Sequence, residues 1–153
     1  ARELVTRKKQ NIGLILMTYD QYNTRRNTLE GGEEIMYEEY INGIARVIAG
    51  SGYGLLIEYF CYIPGAKTLP SIVKENRVAG VIVAGSIYTD EFIDLLKREL
   101  DVVTIGCYSQ KADFIVNDYL DSMRAAVGYL TEMGHRKIAY VSGDVVTYAY
   151  PLK

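Results

Sequence analysis

Short, uninterrupted apolar runs alternate with helix-periodic segments along most of this chain, and that alternation restricts its fold more than any single residue does. "NIGLILM" (Asn11–Met17) is apolar almost throughout instead of at every second position, as a strand buried on both faces has to be. From about Glu33 to Ala49, Ile35/Met36, Tyr40/Ile41, Ile44 and Val47/Ile48 return at helical spacing, and "GSGYG" stops them. "YGLLIEYF", "VAGVIVAG", "DVVTIG" and the short "DFIV" read as further strands, with "KIAYVSG" closing the series. Between them Ser71 to Asn76 reads as a short helix. "TDEFIDLLKREL" reads as another, opened by Thr89, Asp90 and Glu91, which suit free amides and a positive dipole end. Met123, Val127, Leu130 and Met133 mark one face of a last helix that ends at Gly134. Strands alternating with helices in this way predict an α/β fold: a doubly wound, mostly parallel sheet with helices on both faces.

At 153 residues, 49% of them hydrophobic, the chain can bury one sizeable core. No run reaches the roughly eighteen apolar residues of a membrane span, so no membrane partner is expected. Cys61 and Cys107 form no metal-like pair and fit reduced thiols in a cytoplasmic protein. The net charge of −2 is unevenly spread. The leader "ARELVTRKKQ" sets Arg2, Arg7, Lys8 and Lys9 against Glu3, while the rest of the chain is acidic. That asymmetry suits a molecule of which one end approaches a polyanion, or simply a solvated tail. "TYDQYNTRRNTLEGGEE", after the first strand, is about 17 residues without clear periodicity, where strand-to-helix loops usually run about two to six. It is either part of a binding site or a surface excursion.

The single histidine, His135, sits in "MGHRK" between the last helix and the closing strand. Gly134 can take the left-handed conformation that ends a helix, and His135, Arg136 and Lys137 then lie at the negative dipole end. No cysteine, carboxylate or second histidine stands at ligand spacing from it, and no nucleophile elbow is present. His135 is therefore read as architecture.

The same stretch carries a family resemblance. "LTEMGHRKIAYVSG" resembles the helix-GHR-strand segment of the effector-binding domain in LacI/GalR-type bacterial transcriptional regulators. "QNIGLIL", "YINGIARVIAGSGYGLLI", "VKENRVAGVIVAG", "DVVTIG" and "IVNDYLDSMRAAVGYL" follow that domain's segments in order. In the leader, Ala1 and Leu4 are similar to the family's hinge-helix A-x-x-L pattern, with Ile12-Gly13 eight residues beyond the leucine. The resemblance implies that Leu4 wedges into the DNA minor groove, where an apolar side chain unstacks a base step. It also implies a hinge over residues 1–10, an N-terminal lobe over 11–144, and over 145–153 the start of a crossover to a second lobe. On this reading the chain lacks the helix-turn-helix head and the second lobe. The expected strand order is 2-1-3-4-5.

In such sheets ligands bind beyond the carboxyl ends of the strands. Those ends carry Thr18, Tyr19 and Tyr22, then Gly85 and Ser86, then Gly106, then Asn117 and Asp118. By resemblance they line an inter-lobe crevice for a small effector such as a sugar or nucleobase. Hydroxyls, amides and an aromatic wall would suit a polyol. Asp118 serves equally well as a cap for the helix that follows. Two features depart from the family's pattern: Gly106 stands where members often carry an acid, and the loop after the first strand is an insertion. The resemblance implies a homodimer built on the helix around Ile41 to Ala49, operator DNA as partner, and no cofactor. The alternative is a periplasmic-type solute-binding protein, which shares the lobes but has no use for a basic leader. Enzyme readings lack a P-loop, a G-x-G-x-x-G after the first strand, and the receiver-type acidic pair.

Overall fold

A computed structural model describes residues 10–18, 33–63, 65–85, 88–106 and 108–141, without the side chains of 33–36. Its elements run β1 (Asn11–Thr18), α1 (Glu33–Ile48), β2 (Gly54–Cys61), α2 (Ser71–Lys74), β3 (Gly80–Ala84), α3 (Asp90–Lys97), β4 (Asp101–Ile105), β5 (Asp113–Ile115) and α4 (Tyr119–Glu132). The five strands form one sheet in the order β2-β1-β3-β4-β5, and every pairing is parallel. Both features agree with the sequence expectation. β1 is central, paired along its whole length to β2 and from Ile12 to Leu16 to β3. That position explains its unbroken apolar run, since Leu14, Ile15 and Leu16 are fully buried.

Successive β1 side chains feed two separate cores. Ile15 and Met17 join Val81, Val83, Ile72, Val73, Phe92, Ile93 and Leu96 beneath α2 and α3. Phe60 stacks on Phe92 with centroids 5.5 Å apart, and Tyr62 tilts against the same ring at 4.9 Å. Leu14, Leu16 and Ala84 pack instead beneath α1, with Tyr37, Ile41 and Ile44.

Local chemistry fixes the ends of these helices. The Glu58 carboxylate, reaching from β2, accepts from the Ser71 and Ile72 amides at 2.8 and 2.9 Å and so holds the start of α2. Asn76 leaves α2 at φ 58°, and the Arg77 amide closes the turn on the Ile72 carbonyl. Thr89 caps α3 through the Phe92 amide. Gly134 has φ 92°, and the His135 amide donates back to the Leu130 carbonyl at 3.0 Å, a left-handed helix stop in which His135 takes part through its backbone.

Two expectations require correction. Ile138 to Val141 carries no strand, and Val141 is 92% exposed. A strand needs a ladder partner, and none is present for this segment among the described residues. Helical cover is also incomplete on one face. α2 and α3 close theirs, whereas α1 covers only part of the other. Beyond α1 a groove of about 470 Å³ lies open over β3, β4 and β5, and no residue of α4 is buried.

Candidate functional site

Because all five strands are parallel, their carboxyl ends share one edge of the sheet. The register aligns Thr18 with Cys61, Leu16 with Ala84, Ala84 with Ile105, and Ile105 with Ile115. Of the residues the sequence nominated, Thr18, Gly85, Gly106, Asn117 and Asp118 are described, and each ends or follows a strand at this edge. Tyr19, Tyr22 and Ser86 lie outside the described residues, as does the proposed wedge Leu4.

The two glycines form a floor. The Gly85 amide donates to the Ile105 carbonyl at 3.3 Å, and the Gly106 amide to that of Ile115 at 2.9 Å, so each extends the ladder by one bond past its strand. Both have positive φ, 124° at Gly85 and 86° at Gly106, a conformation that side chains resist. A Cβ on Gly85 would stand 2.9 Å from the Tyr37 hydroxyl, and one on Gly106 would stand 3.4 Å from that of Tyr40. The missing side chains thus make room for two phenol groups descending from α1.

Tyr37 and Tyr40 were not nominated from sequence as site residues. Their spacing of three places them one above the other on α1, with ring centroids 6.4 Å apart and planes tilted by 48°. Tyr37 is buried and donates to the Met17 carbonyl at 2.9 Å, tying the first turns of α1 to the end of β1. Burial raises the Tyr40 pKa, and the neighbouring Tyr119 phenol raises it further, so Tyr40 stays a neutral donor and acceptor well into alkaline solution. The sequence did hold a signal: two tyrosines one helical turn apart, in the helix that follows a strand-end loop. Helical periodicity absorbed Tyr40 into the core-facing stripe and hid it.

On the β5 side, Asn117 Nδ2 lies 3.4 Å from the Tyr119 hydroxyl. Asp118 Oδ1 accepts from the Asp121 amide at 2.9 Å, so Asp118 caps α4. On the flank toward α3, Tyr62 and Thr89 share a hydroxyl hydrogen bond of 2.9 Å. They border a second cavity of about 460 Å³, which Lys67, Glu91 and Arg98 also line. The edge therefore offers hydroxyls, an amide, a carboxylate and tilted phenol rings. That set can hydrogen-bond a polyol and cover one face of a ring. Among the described residues no group of His, Cys, Asp and Glu could hold a metal ion, and no helix is long and apolar enough to cross a membrane.

No protein-family model matches the chain. Among curated proteins it is 30% identical over 119 residues to the HTH-type transcriptional repressor PurR of Vibrio atlanticus (strain LGP32), covering 72% of this chain and 35% of that one. It is 28% identical over 155 residues to an uncharacterized HTH-type transcriptional regulator in the aml 5′ region of Streptomyces limosus, covering 90% and 44%. The chain thus spans about a third to under a half of the length of these relatives. Among solved structures, the LacI family transcriptional regulator CCPA from Weissella paramesenteroides with bound glucose superposes at a TM-score of 0.60 and 20% identity, covering 82% of this chain and 43% of that one. The same regulator with bound sucrose gives 0.60 and 18%, covering 86% and 48%. At those identities the superposition establishes a shared fold. Joined to the repressor-like sequence, it places the chain in the LacI/GalR-type family of transcriptional regulators.

Proposed function

We propose that this chain is the effector-receiving lobe of a ligand-responsive, DNA-binding transcriptional regulator, and that its effector is a sugar. The observation that carries this reading is the strand-end floor of Gly85 and Gly106 beneath the hydroxyls of Tyr37 and Tyr40. A polyhydroxylated ring suits such a surface, with its edge on hydroxyl and amide groups and its face on a phenol. The sugars bound in the two superposing structures support the class of ligand. The names of the relatives support regulation in place of catalysis. Thr18, Tyr19, Tyr22, Ser86, Asn117 and Asp118 complete the proposed contact set. Residues 11–144 act as the lobe, and the basic segment 1–10 approaches operator DNA with Leu4 as its minor-groove wedge.

Two copies would pair across the outer flank of α1 and the β2 edge, where Ile57 and Tyr59 are 41% and 60% exposed. A twofold dimer suits a pseudo-palindromic operator. The effector would act by preferring one arrangement of the lobes, so the coupling equals its difference in affinity between the two arrangements. A thermal-shift screen of sugars and nucleobases, followed by operator titration, tests the proposal. A true effector at a hundred times its Kd adds about 2.7 kcal/mol of stability and changes operator affinity. Unchanged operator affinity in the presence of every stabilising compound would refute the reading.

A further inference from the structure

Two apolar surfaces of this chain lack a partner among the described residues, and they are neighbours. The first is the open groove, bounded by Gly43, Ile44 and Val47 of α1 and floored by Ile82, Val103 and Ile115 of the sheet. The second is one face of α4. Leu120, Met123 and Val127 are 58%, 46% and 42% exposed, and with Leu130 they recur at the spacing of a core-facing stripe. We propose that α4 folds back into this groove on its own chain, completing the helical layer beside α1 and setting the β5 wall of the crevice.

Geometry selects α4 as the occupant. Residues 116–118 alone join β5 to α4, so the helix is tethered at the rim of the groove it would fill. A short tether gives an effective concentration in the millimolar range, above that of a second copy in dilute solution. Lengths agree as well: fourteen helical residues span about 21 Å, and the five-residue strands β3 and β4 span about 17 Å. α1 and α4 both start from the carboxyl edge of the sheet, so a seated α4 runs parallel to α1. Its first residue already lies close enough to α1 for Tyr119 to influence Tyr40. From that starting point, equal steps along the two helices set Met123 opposite Gly43 and Val127 opposite Val47. Nothing lies within 4 Å of where a Cβ on Gly43 would stand, and Val47 is 81% exposed, so both positions have space for an incoming helix.

Seating has a consequence for the crevice. Asn117 and Asp118 lie in the tether, and Asp118 caps α4, so docking the helix fixes where both stand. The docking itself does not depend on the regulator reading, because its test needs neither effector nor DNA. In the full chain with Cys61→Ser and Cys107→Ser, the pair Val47→Cys and Val127→Cys is oxidised, and the products are resolved by non-reducing electrophoresis and intact mass. We expect a monomer with an internal disulfide, formed by the pair and by neither single variant. A disulfide-linked dimer specific to the pair would show that a second copy's helix fills the groove. Two reactive but unlinked thiols would show that the groove stays open, and either result overturns the proposal. Independently, Val127→Glu should lower Tm and raise binding of a hydrophobic dye. No change in either would mean that Val127 faces water, which also overturns it.

Discussion

Replacing Gly85 by alanine probes the floor of the crevice with a cost that can be worked out from two contributions. The first is conformational. At φ 124° a residue with a Cβ is strained by about 1–3 kcal/mol. The second is contact. The new methyl would lie 2.9 Å from the Tyr37 hydroxyl and 3.0 Å from Met17 Cβ. Met17 belongs to the central strand, paired on one side along its length, and cannot shift cheaply. The phenol is then the group that moves, giving up its 2.9 Å bond to the Met17 carbonyl at a cost of about 1 kcal/mol. Together these amount to about 2–4 kcal/mol. For a chain of this length that lowers Tm by roughly 5–15 °C. Urea and thermal unfolding of Gly85→Ala, Tyr37→Phe and the double variant form a cycle that separates the contributions. Removing the hydroxyl relieves the contact but leaves the strain, so the variants should couple by about 1 kcal/mol, with the double variant more stable than additivity predicts. Gly85→Ala within about 0.5 kcal/mol of the parent, a change typical of a neutral surface site, would refute the strain assignment. Strict additivity would show that the hydroxyl is not seated over Gly85.

Two further predictions concern the walls of the site. Asp118→Ala should cost about 1 kcal/mol through loss of the α4 cap, whereas Asp118→Asn keeps an acceptor for the Asp121 amide and most of the stability. Asp118→Asn should still weaken the effector identified by the screen, and unchanged affinity would reduce Asp118 to a cap. The raised Tyr40 pKa makes a statement about stability in alkali. The folded phenol keeps a proton that the unfolded one releases near 10.0, so its contribution is complete below that pH and is lost as pH rises through the folded value. Tyr40→Phe should flatten the fall in urea midpoint above about pH 10, and a steeper fall in the variant would contradict the assignment.

Much of the architecture was legible because each level of the chain favours the same outcome. β1 could be recognised as central from "NIGLILM" alone, since only a strand covered on both faces can be apolar without alternation. Gly134 announced a helix stop, and Thr89 a helix start, through chemistry confined to one turn. The strand-end positions Thr18, Gly85, Gly106, Asn117 and Asp118 followed from topology, because parallel strands send all their carboxyl ends to one edge. The closing strand at Ile138 misled for the opposite reason. Its residues have the composition of a strand, but a strand exists only through a neighbour that composition does not supply.

Local pattern by itself determined the elements, their order and the class of fold, because periodicity and end-capping act over a few residues. Tertiary structure alone decided which groups meet across the chain. Tyr37 and Tyr40 come from α1 to stand over glycines roughly fifty and more than sixty residues away. Asp118 could be read as a cap or a contact until its carboxylate was found on the Asp121 amide. The apolar stripe of α4 was plain in the sequence, but the open groove beside α1 became visible only once the sheet was assembled. Burial, strain and hydrogen-bond partnership depend on distances between residues far apart in sequence, and only the folded chain sets those distances.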